Sequence, residues 1–95
     1  MVKRRILLIE DESDMVYALT LQLEATGYEV LAVKDGQAGL DMARKEKPDL
    51  IVLDLMLPGM DGLEICKIIK NDPKTASTPI IMLTAKSQES DKVIG

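Results

Sequence analysis

Four short apolar runs recur along the chain, each bounded by charged or polar residues. They occupy positions 6–9, 28–33, 50–53 and 80–83. The runs are apolar nearly throughout, without the regular alternation of a strand that has one face in water. Continuous apolar runs of this length are typical of parallel strands whose two faces are both covered. We therefore predict four strands buried within a parallel sheet.

Three stretches between these runs carry apolar residues at helical spacing, at positions 14–26, 36–46 and 62–71. Gly27 follows the first stretch and is a typical residue at a helix C-terminus. Asp61 precedes the third stretch, where its side chain is a typical N-cap. The pattern therefore predicts three helices, two of them with a recognisable end.

Strands and helices thus alternate as (βα)₃β, and positions 87–95 would begin a fourth helix. Right-handed crossovers between parallel strands place helices on both faces of the sheet, which predicts a three-layer α/β fold. The 95 residues are enough for one domain, which we expect to span positions 1–95.

Composition excludes some classes of function and favours one compartment. The net charge is −4, with charges of both signs interspersed, whereas nucleic-acid surfaces are usually basic. We therefore expect no nucleic-acid binding by this chain, and its first apolar run is too short to span a membrane. The single cysteine, Cys66, permits no internal disulfide and fits the reducing cytoplasm. The absence of histidine excludes histidine catalysis and histidine metal ligands.

The residues that can carry chemistry stand where the predicted strands end, which is where parallel α/β sheets gather functional groups. Glu10 and Asp11 follow the first strand, Asp54 ends the third and Thr84 follows the fourth. Two carboxylates about 4 Å apart repel by about 4 kcal/mol at an effective dielectric near 20, so such a cluster favours a bound cation. Oxygen ligands of this kind suit Mg²⁺. A carboxylate such as Asp54 can also become an acyl phosphate, with the Thr84 hydroxyl bonding a phosphoryl oxygen.

Other interpretations of these residues are available. Glu10, Asp11 and Glu12 would be favourable at the N-terminus of the first helix even without a site, although the matching strand ends weigh against this. An aspartate phosphatase of the haloacid-dehalogenase type needs a second acid two residues after its nucleophile, where this chain has Met56. A dinucleotide-binding fold would need a glycine signature after the first strand, and none is present there.

Three motifs together carry a family resemblance: ILLIEDE at 6–12, DLIVLDLMLPGMDG at 49–62 and PIIMLTAK at 79–86. At this spacing the chain resembles a bacterial response-regulator receiver domain, and it is most similar to receivers of DNA-binding transcriptional regulators. The resemblance implies a flavodoxin-like fold with strand order 2-1-3-4. It also implies a phosphoacceptor signalling module of a two-component system, rather than an enzyme, with a sensor histidine kinase as its partner.

The resemblance also assigns roles to single residues. It implies that Asp54 accepts the phosphoryl group and also ligates Mg²⁺. Asp11 would ligate the metal directly, Glu10 directly or through water, and the backbone carbonyl of Met56 would be a further ligand. Thr84 would be the switch hydroxyl that moves toward the phosphoryl group.

A complete receiver has a fifth strand and a fifth helix, and the fifth strand ends with a lysine that pairs with the phosphate. The sequence ends at Gly95, and Lys86 does not match that lysine, so we expect a domain truncated before both elements. The apolar strand at 80–84 would then be an exposed edge, which predicts self-association. The alternative function is a structural, self-associating fragment that is not competent for stable phosphorylation.

Overall fold

A computed structural model describes residues 3–57 and 59–83 of the chain. Within these residues strands and helices alternate as predicted. Their bounds are β1 (Arg5–Ile9), α1 (Ser13–Ala25), β2 (Glu29–Val33), α2 (Gly36–Glu46), β3 (Leu50–Asp54), α3 (Gly62–Asn71) and β4 (Ile80–Leu83). The helix predicted to begin at position 87 lies outside the described residues.

The four strands form one parallel sheet in the order β2-β1-β3-β4. This confirms the predicted fold class and strand order. β1 pairs with β3 in the register Ile6↔Leu50 to Ile9↔Leu53. Because all neighbouring strands are parallel, the carboxyl ends of all four lie along one edge of the sheet.

Two apolar clusters cover the two faces of the sheet, which gives the predicted three layers. The larger, the α2–α3 core, contains Leu7, Ile9, Leu40, Ala43, Ile51, Leu53, Leu57, Ile65 and Ile69. The smaller, the α1 core, consists of Ile6, Leu8 and Val52, and half-buried residues of α1 pack against it. Helix α1 contributes no fully buried residue. No described helix is both long enough and apolar enough to cross a bilayer.

Helix α1 ends in a glycine-dependent turn that also sets where β2 begins. Gly27 has a φ of 106° and donates its N–H to the carbonyl of Glu24 at 3.0 Å. The N–H of Tyr28 reaches back to the carbonyl of Leu23 at 3.1 Å, which completes a Schellman motif. The prediction that Gly27 stops the helix is confirmed. Tyr28 belongs to this cap, so β2 starts one residue later than predicted, at Glu29.

Helices α2 and α3 begin in the same way, with an aspartate N-cap followed by a buried glycine. Asp35 accepts a hydrogen bond from the N–H of Ala38, and Asp61 accepts one from the N–H of Leu63. The predicted N-cap role of Asp61 is thus confirmed. At its other end α2 closes on Lys47, whose φ of 48° lies in the left-handed region.

The chain after α3 is fixed by a buried hydroxyl and an ion pair. The Thr75 hydroxyl donates to the carbonyl of Ile69 at 2.6 Å. Asp72 accepts a hydrogen bond from the N–H of Lys74 and pairs with the Arg44 guanidinium at 2.7 Å. These two contacts of Asp72, in that order of importance, hold the pKa of its carboxyl below the ordinary value.

Within the described part of the chain, strand β4 has one strand neighbour, β3, and it carries exposed apolar side chains. Ile81 is 52% exposed and Met82 is 41% exposed. These two residues pair in register with Val52 and Leu53, so they extend the two apolar faces of the sheet in opposite directions.

Candidate acidic site at the carboxyl edge of the sheet

The parallel register of β1 and β3 explains why two distant carboxylates meet. Leu8 pairs with Val52 and Ile9 with Leu53. One residue further along the same register, Glu10 stands beside Asp54. Both residues occupy the face that carries Leu8 and Val52, because side chains alternate along a strand.

Three carboxylates converge at this edge. One oxygen from each of Glu10, Asp11 and Asp54 lies within 4.8 Å of the others. Glu10 is 2% exposed and Asp54 3%, whereas Asp11 is exposed. The site therefore has two buried acids at its base and one at its mouth, as expected from the strand ends.

Hydrogen bonds to neighbouring N–H groups orient the two buried acids. The Glu10 carboxylate accepts one from the N–H of Glu12 at 3.0 Å. Oδ1 of Asp54 accepts one from the N–H of Met56, also at 3.0 Å. Oδ2 of Asp54 is buried and has no hydrogen-bond partner among the residues that the structure describes. Buried polar atoms are nearly always bonded, so this oxygen points to a ligand.

The donor set fits Mg²⁺. The three grouped ligand atoms are carboxylate oxygens, which Mg²⁺ prefers over nitrogen or sulfur. A divalent cation bound by this cluster would offset the repulsion between the acids. The ligand role of the Met56 carbonyl stays a prediction, while its N–H is committed to Asp54.

Helix capping accounts for part of this cluster at most, because Asp54 lies at the end of β3 and not at a helix N-terminus. Glu12 is the N-cap residue of α1, but its side chain accepts no capping hydrogen bond. Glu10 bonds the N–H of Glu12 with one oxygen, and its carboxylate is also a member of the acidic cluster. Thr84, predicted to be the switch hydroxyl, and Lys86 lie outside the described residues.

Comparison with known proteins agrees with this geometry. The family described as the response regulator receiver domain matches residues 6–95. The chain is a response regulator receiver domain.

Relatives of this receiver domain include a transcriptional regulator. The receiver domain is 47% identical over 94 residues to the alkaline phosphatase synthesis transcriptional regulatory protein PhoP of Bacillus subtilis. The match covers 99% of this chain and 38% of that protein. The receiver domain is 40% identical to the protein PilH of Pseudomonas aeruginosa, covering 96% of this chain and 75% of PilH. The receiver domain thus spans well under half of one relative and three quarters of the other.

The fold of the receiver domain recurs in solved structures. The chemotaxis response regulator CheY4 of Vibrio cholerae superposes with a TM-score of 0.85 at 30% identity, covering 90% of this chain and 72% of that one.

One residue beside the site carries no signal of periodicity or charge. Gly62, the first residue of α3, is buried against the backbone of Leu55 and Asp54. The signal that could have drawn attention to it is the repeated pair Asp-Gly, found at 35–36 and at 61–62, where each glycine opens a helix of the receiver domain.

Proposed function

We propose that this receiver domain accepts a phosphoryl group on Asp54 from the phosphohistidine of a sensor histidine kinase, in a Mg²⁺-dependent reaction. The observation that carries the proposal is Oδ2 of Asp54, which is buried and unpartnered among the described residues within a cluster of three carboxylates. A carboxylate oxygen with no hydrogen bond keeps its lone pairs available for attack.

In the proposed step a carboxylate oxygen of Asp54 attacks phosphorus, and a P–O bond forms as the P–N bond of phosphohistidine breaks. The bonding electron pair leaves with the imidazole nitrogen, so no oxidant or reductant is needed. With acetyl phosphate as donor, the P–O bond to acetate breaks instead. The product in both cases is an acyl phosphate on Asp54.

The other residues of the site would hold the metal ion and orient the Asp54 carboxylate. Glu10 and Asp11 would bind Mg²⁺ together with Asp54 and the Met56 carbonyl. When bound, the ion would neutralise charge on the transferring phosphoryl group. The Met56 N–H holds Oδ1 of Asp54 at 3.0 Å, which fixes the orientation of the carboxylate. Thr84 is proposed as the hydroxyl that bonds the phosphoryl group, as the family pattern implies.

Phosphorylation would make this domain a switch in a two-component pathway rather than an enzyme with turnover of its own. The Bacillus relative is named a transcriptional regulatory protein, and this chain covers 38% of it. We propose that an output domain that binds DNA lies in the remainder of such a protein, and that the receiver works in the cytoplasm, where a reduced Cys66 is stable.

Intact-mass spectrometry after incubation with Mg²⁺ and acetyl phosphate tests the proposal. The parent is expected to gain one phosphoryl group, and Asp54→Asn none. Asp35→Asn is the matched control, because Asp35 is another aspartate near this edge that lies outside the cluster. It should react like the parent. An adduct that persists in Asp54→Asn, or its absence from a folded parent, would exclude this function.

A structural, self-associating role is the second candidate, and exposed β4 favours it. Ile81 and Met82 leave apolar surface on both sides of a strand that has β3 as its neighbour, and exposed apolar edges pair with other chains. Light scattering coupled to size exclusion should detect a dimer that Ile81→Lys with Met82→Lys converts to a monomer. A parent that stays monomeric at high concentration excludes this role.

A further inference from the structure

We propose that Gly62 is a positioning residue for the acidic site, an inference that rests on the proposed function of Asp54. The lack of a side chain at Gly62 lets the first turn of α3 lie against the peptide that follows Asp54, and so determines where that carboxylate stands. Any larger residue would displace the loop and weaken both Mg²⁺ binding and phosphorylation.

The contact is between backbones and leaves no room for a methyl group. A Cβ built on Gly62 in ideal geometry would lie 2.6 Å from Cα of Leu55 and 3.1 Å from the carbonyl oxygen of Asp54. Non-bonded carbons prefer about 3.5–4.0 Å. The main chain would therefore have to separate by about 1 Å to admit an alanine.

Neither element on the two sides of this contact is free to move. Strand β3 is an inner strand, paired with both β1 and β4. Helix α3 is held by Ile65 and Ile69, which are 0% and 1% exposed in the α2–α3 core. The displacement therefore falls on the connection between them, which begins at Leu55.

Two hydrogen bonds of the site start in that connection. The N–H of Leu55 donates to the carbonyl of Leu83 at 3.2 Å, and the N–H of Met56 donates to Oδ1 of Asp54 at 3.0 Å. A shift of about 1 Å exceeds the tolerance of about 0.5 Å within which such sites work. Misplacement of this size typically costs about 100-fold in rate.

Gly36 provides a matched control within the same chain. Like Gly62 it is buried, follows an aspartate N-cap and opens its helix. A Cβ on Gly36 would also meet atoms at 2.6 and 2.8 Å, but these are Cδ1 of Ile65 and Sδ of Met60. Cβ of Met60 also lies 3.2 Å away. All three contacts are with side-chain atoms of Ile65 and Met60, so the strain falls on their packing and not on the peptide that follows Asp54.

The test compares Gly62→Ala and Gly36→Ala in the full chain by three measurements. Calorimetry gives the affinity for Mg²⁺, intact mass gives the rate of reaction with acetyl phosphate, and NMR gives the chemical shift and hydrogen exchange of the Met56 amide. Gly62→Ala should lose at least about tenfold in affinity and rate, with a shifted and faster-exchanging Met56 amide. Gly36→Ala should stay within about threefold of the parent, with an unmoved Met56 amide.

Stability is measured beside these, by urea unfolding in EDTA. If Gly62→Ala unfolds, all variants are compared in trimethylamine N-oxide, which strengthens apolar burial in each of them. The inference is overturned if Gly62→Ala matches the parent in Mg²⁺ affinity and in the chemical shift of the Met56 amide. It is also overturned if Gly36→Ala loses as much Mg²⁺ affinity and phosphorylation rate as Gly62→Ala does. If the parent neither binds Mg²⁺ nor reacts with acetyl phosphate, the proposed function is excluded. The chemical shift and hydrogen exchange of the Met56 amide would still decide the role of Gly62.

Discussion

Replacing Asp54 by asparagine should stabilise the domain, although it removes the proposed phosphoacceptor. The asparagine would be nearly isosteric and would keep an oxygen for the Met56 N–H. What changes is the charge: carboxylate oxygens of Glu10, Asp11 and Asp54 lie within 4.8 Å of one another. The substitution relieves that repulsion and supplies an NH₂ donor in its place.

The magnitude follows from the distance. Two unit charges 4.8 Å apart repel by about 3.5 kcal/mol at an effective dielectric of 20. Exposed Asp11 is screened by solvent and adds less. We expect Asp54→Asn to raise the free energy of unfolding by about 1–3 kcal/mol without metal, a stabilisation of the kind expected when a strained functional group is removed.

Mg²⁺ should shift the balance of stability toward the parent. A ligand at 100 times its Kd stabilises the folded state by about 2.7 kcal/mol. The parent should gain this when the ion is added, and Asp54→Asn should gain much less. Asp35→Asn is again the control, since asparagine caps a helix as well as aspartate does and leaves the cluster intact.

Urea unfolding followed by far-ultraviolet circular dichroism measures these effects, because the chain has no tryptophan. Each variant is unfolded in EDTA and again with excess Mg²⁺, and the midpoints are compared at a constant slope. The electrostatic reasoning is refuted if Asp54→Asn is no more stable than the parent in EDTA. It is also refuted if Mg²⁺ stabilises the parent and Asp54→Asn equally.

Substitutions at three further residues test the fold away from the site. Lys47→Gly should raise the urea midpoint, by about 0.5–1 kcal/mol in stability, because glycine adopts the left-handed φ of 48° without strain; an unchanged midpoint contradicts this. The pKa of Asp72 is lowered by the N–H of Lys74 and by the Arg44 guanidinium, so its stabilisation is present above the unfolded pKa and is lost as pH falls through the folded value. Stability against pH should therefore decline less for Asp72→Asn than for the parent below about pH 4, and parallel curves would count against it. Thr75→Val should cost about 1–2 kcal/mol by leaving a carbonyl of α3 without its donor, while Thr75→Ser, which keeps the hydroxyl, should cost less in the same assay.

The strands and the site were predictable from the sequence for the same reason. A strand buried on both faces must be apolar along its length, so β1 and β3 were visible as runs. β4 was visible in the same way, although its Ile81 and Met82 are exposed. Any charge that interrupts or ends such a run must then lie at a strand end. Parallel order brings those ends to one edge, which is why the grouping of Glu10, Asp11 and Asp54 could be predicted without coordinates.

Contacts that depend on distances between segments were not predictable in this way. The sequence marks Gly62 as small, but only the geometry reveals that its Hα faces the backbone of Leu55. The left-handed conformation of Lys47 is likewise invisible, because lysine is an ordinary residue in a helix. The pairing of Arg5 with Glu46, at 2.8 Å, joins two segments that no local pattern connects.

The register between β1 and β3 also has a consequence for how the chain reaches its native state. Pairing of β1 with β3 brings the carboxylates of Glu10 and Asp54 together. Repulsion between these two like charges therefore opposes the pairing at the carboxyl ends of the strands. During synthesis the two acids emerge far apart and feel no such opposition until β3 docks. A bound Mg²⁺ would remove this opposition in the folded state, and it would speed docking only if the two acids already meet in the folding transition state.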